Sequence, residues 1–208
     1  AGVEVLREYA PPMRHGPGIL SHRVLPFTYE PLARYVARLA HLHGISSSGR
    51  FLREYASWIS IADVMNGRAQ REIAQLVDLP EDIFSYATPV REPGERVWTL
   101  NGIEFDDRFA SSGLLRICPQ CLDEDLVHAP GRQSFRPHVR IWWQFEPVRA
   151  CPIHGLELVS PGDQVDHVFP WRRFGRRDEK HGSTGRLPLV CTPAHEDEIG
   201  LSQFVIGR

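Results

Sequence analysis

Two short hooks of metal-ligand residues constrain this chain more than anything else in it. Cys118-Pro-Gln-Cys121 is followed, after 29 intervening residues, by Cys151-Pro-Ile-His154. Two residues between ligands let a tight turn aim both side chains at one ion, and the proline after each leading cysteine fixes φ for that turn. Three thiolates and one imidazole form a closed tetrahedral set, which is how structural zinc is held. Three of the chain's four cysteines fall into this register. A thioredoxin-like redox pair would want a βαβ context before Cys118, and none is visible. A disulfide framework does not suit a chain of this length without a visible secretory segment. A zinc deaminase needs a His-x-Glu element, which the sequence lacks. Four ligands also leave no open coordination position, so the expectation is one structural Zn²⁺, assigned to Cys118, Cys121, Cys151 and His154, and no enzyme. Cys191 and His195 have no second pair beside them, so a second site is not expected.

The 208 residues suffice for one larger or two small domains. A net charge of -2 excludes a wholesale polycation, so any nucleic-acid contact must come from local patches. No run of about 18 apolar residues suggests a membrane span. The chain starts on Ala1 rather than methionine, as a trimmed product does.

The expected fold class is α+β, mostly helical, with a helix-turn-helix-like amino-terminal part and a small zinc-ribbon module. Residues 1–27 read as an extended, proline-rich arm. Residues 28–94 read as the helical part. There Thr28 and Pro31 open a helix, Leu32, Tyr35, Val36, Leu39 and Leu42 recur along one stripe, and Gly44 closes it. Arg34, Arg38 and His41 lie off that stripe as a basic shoulder. Ser46 to Ser48 offer a cap for a second helix through Phe51, Leu52, Tyr55 and Trp58; Asn66-Gly67 marks a break. A further helix follows between Ala69 and Leu79, and a short one begins at Pro80. Helix, brief turn and helix suit a DNA-reading unit and equally any small helical bundle.

Residues 95–168 read as a hairpin and the zinc ribbon. Asn101-Gly102 between alternating residues predicts a type I′ turn. Val139 to Phe145 is aromatic and β-like, and Leu156 to Val159 can pair back beneath the knuckles. Arg132, Arg136 and Arg140 between the hooks are candidates for nucleic-acid or partner contact. Residues 169–190 read as a basic and aromatic loop, in which Trp171, Arg172, Arg173, Arg176 and Arg177 can meet phosphates and bases, or equally form solvated surface. Residues 191–208 read as the start of a carboxyl-terminal helical segment.

LRICPQCLDEDL, RIWWQF and CPIHGLEL together resemble the zinc-binding core of the TniQ family of transposition proteins. PLARYVARLAHLHGIS, FLREYA and IAQLVDLPEDIF are similar to that family's amino-terminal helical part. The resemblance covers about residues 25 to 160. It implies a non-enzymatic adaptor in bacterial DNA transposition, cytoplasmic and nucleoid-associated when active. Such an adaptor links target recognition to an AAA+ ATPase that regulates a DDE transposase. Recognition is of target DNA by the adaptor itself or, in CRISPR-associated transposons, by an RNA-guided effector complex. A homo-oligomer is compatible with that role, and a membrane partner is not expected. The alternative is a stand-alone DNA-binding regulator built of helix-turn-helix and zinc ribbon.

Overall fold

A computed structural model describes residues 19–109, 116–131, 135–160 and 191–205. Within these residues the fold is α+β and mostly helical: six α-helices and one two-stranded antiparallel sheet. The first helix, α1 (Leu32–Leu42), buries Leu32, Tyr35, Val36 and Leu39 on one stripe. Pro31, not Thr28, caps it with extended backbone and no side-chain bond. The Leu32 N–H that the cap leaves open donates instead to Thr88 Oγ1 at 3.0 Å, 56 residues further on. At the other end Gly44 sits at φ +69° while Ile45 N–H reaches Ala40 O and Gly44 N–H reaches His41 O. These paired bonds form a Schellman motif, a geometry that suits glycine because it has no Cβ.

Helix α2 (Ser48–Tyr55) starts on Ser47, whose Oγ accepts from Arg50 N–H, and stops at Tyr55, leaving Trp58 beyond it and exposed. A five-residue helix, α3 (Ile61–Met65), was not expected; Ser60 Oγ caps it by accepting from Ala62 N–H. Helix α4 (Gln70–Leu76) follows the Asn66-Gly67 break. The short helix expected at Pro80 is a run of turns, with Ile83 N–H donating to Pro80 O and Ser85 N–H to Asp82 O. Leu20, Phe51, Leu52, Val64, Ile73, Val77 and Phe84 join α1 in one core.

Strands β1 (Val97–Leu100) and β2 (Ile103–Asp106) pair in the register Leu100 to Ile103 through Val97 to Asp106. Asn101 and Gly102 both have positive φ, as a type I′ turn requires. A second core gathers Leu100, Ile117, Leu122, Val139, Trp142, Trp143, Phe145 and Val148 around the three ligand cysteines. Here the β-like reading of Val139 to Phe145 is corrected. Ile141–Gln144 is a 3-10 turn, with Trp143 N–H donating to Arg140 O at 3.0 Å. Ile141, Trp142, Trp143 and Phe145 are all buried in this core. Beneath the knuckles the ribbon pairing consists of single bridges, Ile117 with Val159 and Ala150 with Glu157. The chain then returns through the Leu156–Pro193 bridge to helix α6 (Glu196–Val205).

The two cores meet along α1. Ile141 N–H donates to Tyr29 O at 2.9 Å, Arg34 Nε to Gln144 Oε1 at 3.3 Å, and the Phe27 ring stacks on His138 at 3.9 Å. Arg38 is not part of an exposed basic shoulder. It is 2% exposed and forks onto Glu30 with bonds of 2.8 and 2.6 Å, while its guanidinium lies 4.7 Å from the Phe27 ring centroid.

Candidate metal centre

The first hook lies at the start of helix α5 (Pro119–His128): Cys118 is its N-cap, Pro119 opens it and Cys121 sits in its first turn. Proline suits that opening position because its missing N–H would have had no helical partner. The second hook is a turn closed by Gly155 N–H donating to Cys151 O at 2.9 Å, with Gly155 at φ +61°. Pairing of Ala150 with Glu157 on either side of this turn brings Cys151 and His154 onto α5.

The four ligand atoms converge. His154 Nδ1 lies 3.4, 3.3 and 3.6 Å from the sulfurs of Cys118, Cys121 and Cys151, and Cys121 Sγ lies 3.6 Å from Cys151 Sγ. All four lie within 4.8 Å of one another. Tetrahedral bonds of about 2.1 to 2.3 Å place ligand atoms roughly 3.4 to 3.8 Å apart, so the donor set has the size a zinc ion needs. Among the described residues this is the one grouping of three or more such side chains that could hold a metal ion.

The electrostatics point the same way. The bond from Cys121 favours the Cys118 thiolate, but contact with Cys151 and burial push the Cys118 thiol up to about 12. Bonds with Cys118 and Cys151, together with burial, raise the Cys121 thiol. Bonds from Cys118 and Cys121 draw Cys151 down, to about 2. Packed this closely, the three sulfurs oppose one another's ionisation. A divalent cation is what lets all three ionise together.

Around the ligands stands a shell of named groups. His154 Nε2 donates to Glu124 Oε1 at 3.0 Å. Arg140 is buried, 6% exposed, and forks onto Asp125 with bonds of 3.0 and 2.7 Å. Its charge is felt at Cys121 and Cys151. Three thiolates around a dication leave one net negative charge, and Arg140 carries the opposite sign. The sequence reading of Arg140 as a nucleic-acid or partner contact is therefore corrected: its guanidinium is spent inside the protein. His138 is buried beside it, with Nδ1 3.0 Å from Asp125 Oδ2. Burial and the neighbouring Arg140 charge hold His138 below the ordinary imidazole value, so it is a neutral donor. Burial would raise Asp125, but His138 and Arg140 outweigh it and hold the carboxyl below its usual range.

The remaining candidate contact residues fare differently. Arg136 ties down the turn after α5, donating to Gly131 O at 3.0 Å and Leu126 O at 2.7 Å. Arg132, Trp171, Arg172, Arg173, Arg176 and Arg177 lie outside the described residues. In the helical part Arg68 pairs with Asp63, Arg71 with Glu81 at 3.1 Å and Arg91 with Asp107 at 3.0 Å. The sequence analysis did not single out Glu124 or Asp125. Once α5 is a helix, their positions three and four residues after Cys121 place all three on one face.

The family model TniQ matches residues 22–158, which takes in both cores except Leu20, and all four ligand residues. No curated protein matches the chain.

Proposed function

The chain belongs to the TniQ family of transposition-associated, non-catalytic adaptors, and from that premise we propose that it works as a zinc-stapled docking platform. One face would engage target DNA, or an RNA-guided effector bound to it, and another an AAA+ ATPase that activates a transposase. What carries this reading is the extent of the family match: it covers the helical core and the Cys3His cluster together. In this role Cys118, Cys121, Cys151 and His154 hold zinc, which supplies folding free energy and takes part in no reaction. Among the described residues no helix is long and apolar enough to cross a membrane.

Pull-down of the purified, zinc-loaded chain tests the proposal directly, with target DNA and the nucleotide-loaded ATPase offered separately and together. Retention of the ATPase, strengthened when DNA or the effector complex is present, is the expected outcome. Tight, sequence-specific and steeply salt-dependent DNA binding by the chain alone, without retention of the ATPase, would favour the stand-alone regulator.

A further inference from the structure

Glu124 lies next to the ligand set without being one of the four ligands. Its carboxylate only accepts hydrogen bonds, so the 3.0 Å contact with His154 Nε2 requires the proton on Nε2. That leaves the Nδ1 lone pair free, and Nδ1 is the atom that lies among the three sulfurs. The two residues come from opposite hooks: Glu124 rides on α5, three residues after Cys121, and His154 is the last ligand of the second hook. The contact thus crosses the same gap that the metal would bridge. His154 is nearly buried, at 8% side-chain exposure, so its ring has few other partners with which to fix its orientation.

Resting on the zinc reading above, we propose that Glu124 is a positioning residue for the metal: it selects the Nδ1-coordinating tautomer of His154 and slows loss of the ion. Outer carboxylates of this kind orient a histidine ligand and make it a better donor, and their removal typically weakens metal binding by about 10 to 100-fold. Glu124 is itself 48% exposed, which places the expected effect near the lower end of that range. Asp123 is the built-in control. It is the neighbouring acid on α5, exposed, and makes no bond to a ligand residue.

The experiment is competition of the full chain against a zinc chelator, with Glu124→Ala, Glu124→Gln and Asp123→Ala compared with the unsubstituted protein. Glu124→Ala should weaken zinc affinity by about tenfold. Glu124→Gln, whose amide oxygen still accepts from Nε2, should fall between Glu124→Ala and the unsubstituted chain, and Asp123→Ala should leave affinity unchanged. In parallel, nitrogen NMR should show a slowly exchanging His154 Nε2–H signal that is lost in Glu124→Ala. If Glu124→Ala does not fold, Glu124→Gln against Asp123→Ala still decides the matter. Equal affinities for the unsubstituted chain, Glu124→Ala and Glu124→Gln would overturn the proposal. So would an equal loss in Asp123→Ala, which would reduce the effect to general charge. If the unsubstituted chain itself binds no zinc, the zinc reading fails first, and this assignment fails with it.

Discussion

Each of the two cores buries an arginine–carboxylate fork, yet they rest on different physics. In the helical core Arg38 and Glu30 meet eight residues apart, beside an apolar stripe that regular helices and their caps already organise. Around the metal centre Arg140 and Asp125 meet fifteen residues apart, and regular structure is scarcer: one helix, a short two-stranded hairpin, a 3-10 turn and single bridges. There the ligands and ion pairs take over the work that repeating backbone bonds perform in the other core. A region can bury two tryptophans with little regular secondary structure when a few strong, specific contacts tie its loops together.

The largest effect should come from breaking the ligand set. Cys121→Ser should abolish stoichiometric zinc and remove stabilisation on the order of 10 kcal/mol from its core. Near-ultraviolet circular dichroism from Trp142 and Trp143 should collapse while much of the far-ultraviolet helical signal persists; equal loss of both would erase the distinction between the cores. Next come the two forks. Asp125→Asn and Glu30→Gln each leave a buried guanidinium without its counter-charge, a change that costs about 3 to 5 kcal/mol in urea unfolding. Only Asp125→Asn should also weaken zinc binding, because only Asp125 holds in place an arginine, Arg140, whose charge is felt at the sulfurs.

Smaller and dependent on pH is the contribution of His138. Its folded pKa is depressed, so the unfolded chain binds the proton more readily and stability falls as pH drops below about 6.5. Between pH 7.5 and 5.5 the unsubstituted chain should lose more stability than His138→Gln, as read by urea midpoints at the two pH values. Smallest is the cap of α2. Ser47→Ala removes the acceptor for Arg50 N–H and should cost about 1 kcal/mol, with zinc affinity unchanged.

Legibility in the sequence follows the same divide. The hooks could be read because metal ligands are few in kind and sit two residues apart, whatever lies between the pairs. The hairpin register followed from Asn101-Gly102, and the end of α1 from Gly44, because both need positive φ. Arg38 and Arg140 were misread because arginine is rarely buried, and their partners lie outside any short helical spacing. The Ile141–Gln144 turn was misread because a run of apolar and aromatic residues looks like a strand, and nothing in the sequence signals that Trp143 N–H turns back to Arg140 O. Thr88 as the remote acceptor for α1 had no local signal at all. Glu124 and Asp125 had one, their three- and four-residue spacing from Cys121, which becomes visible only when α5 is recognised as a helix.

The most direct test of the central claim is metal content measured together with folding. Elemental analysis of the purified chain should give one zinc per molecule. Stripping it with a strong chelator should abolish the Trp142 and Trp143 near-ultraviolet signal in step with metal loss, and added zinc should restore it. Well-folded material that carries no metal, or a tryptophan core indifferent to the chelator, would contradict the account.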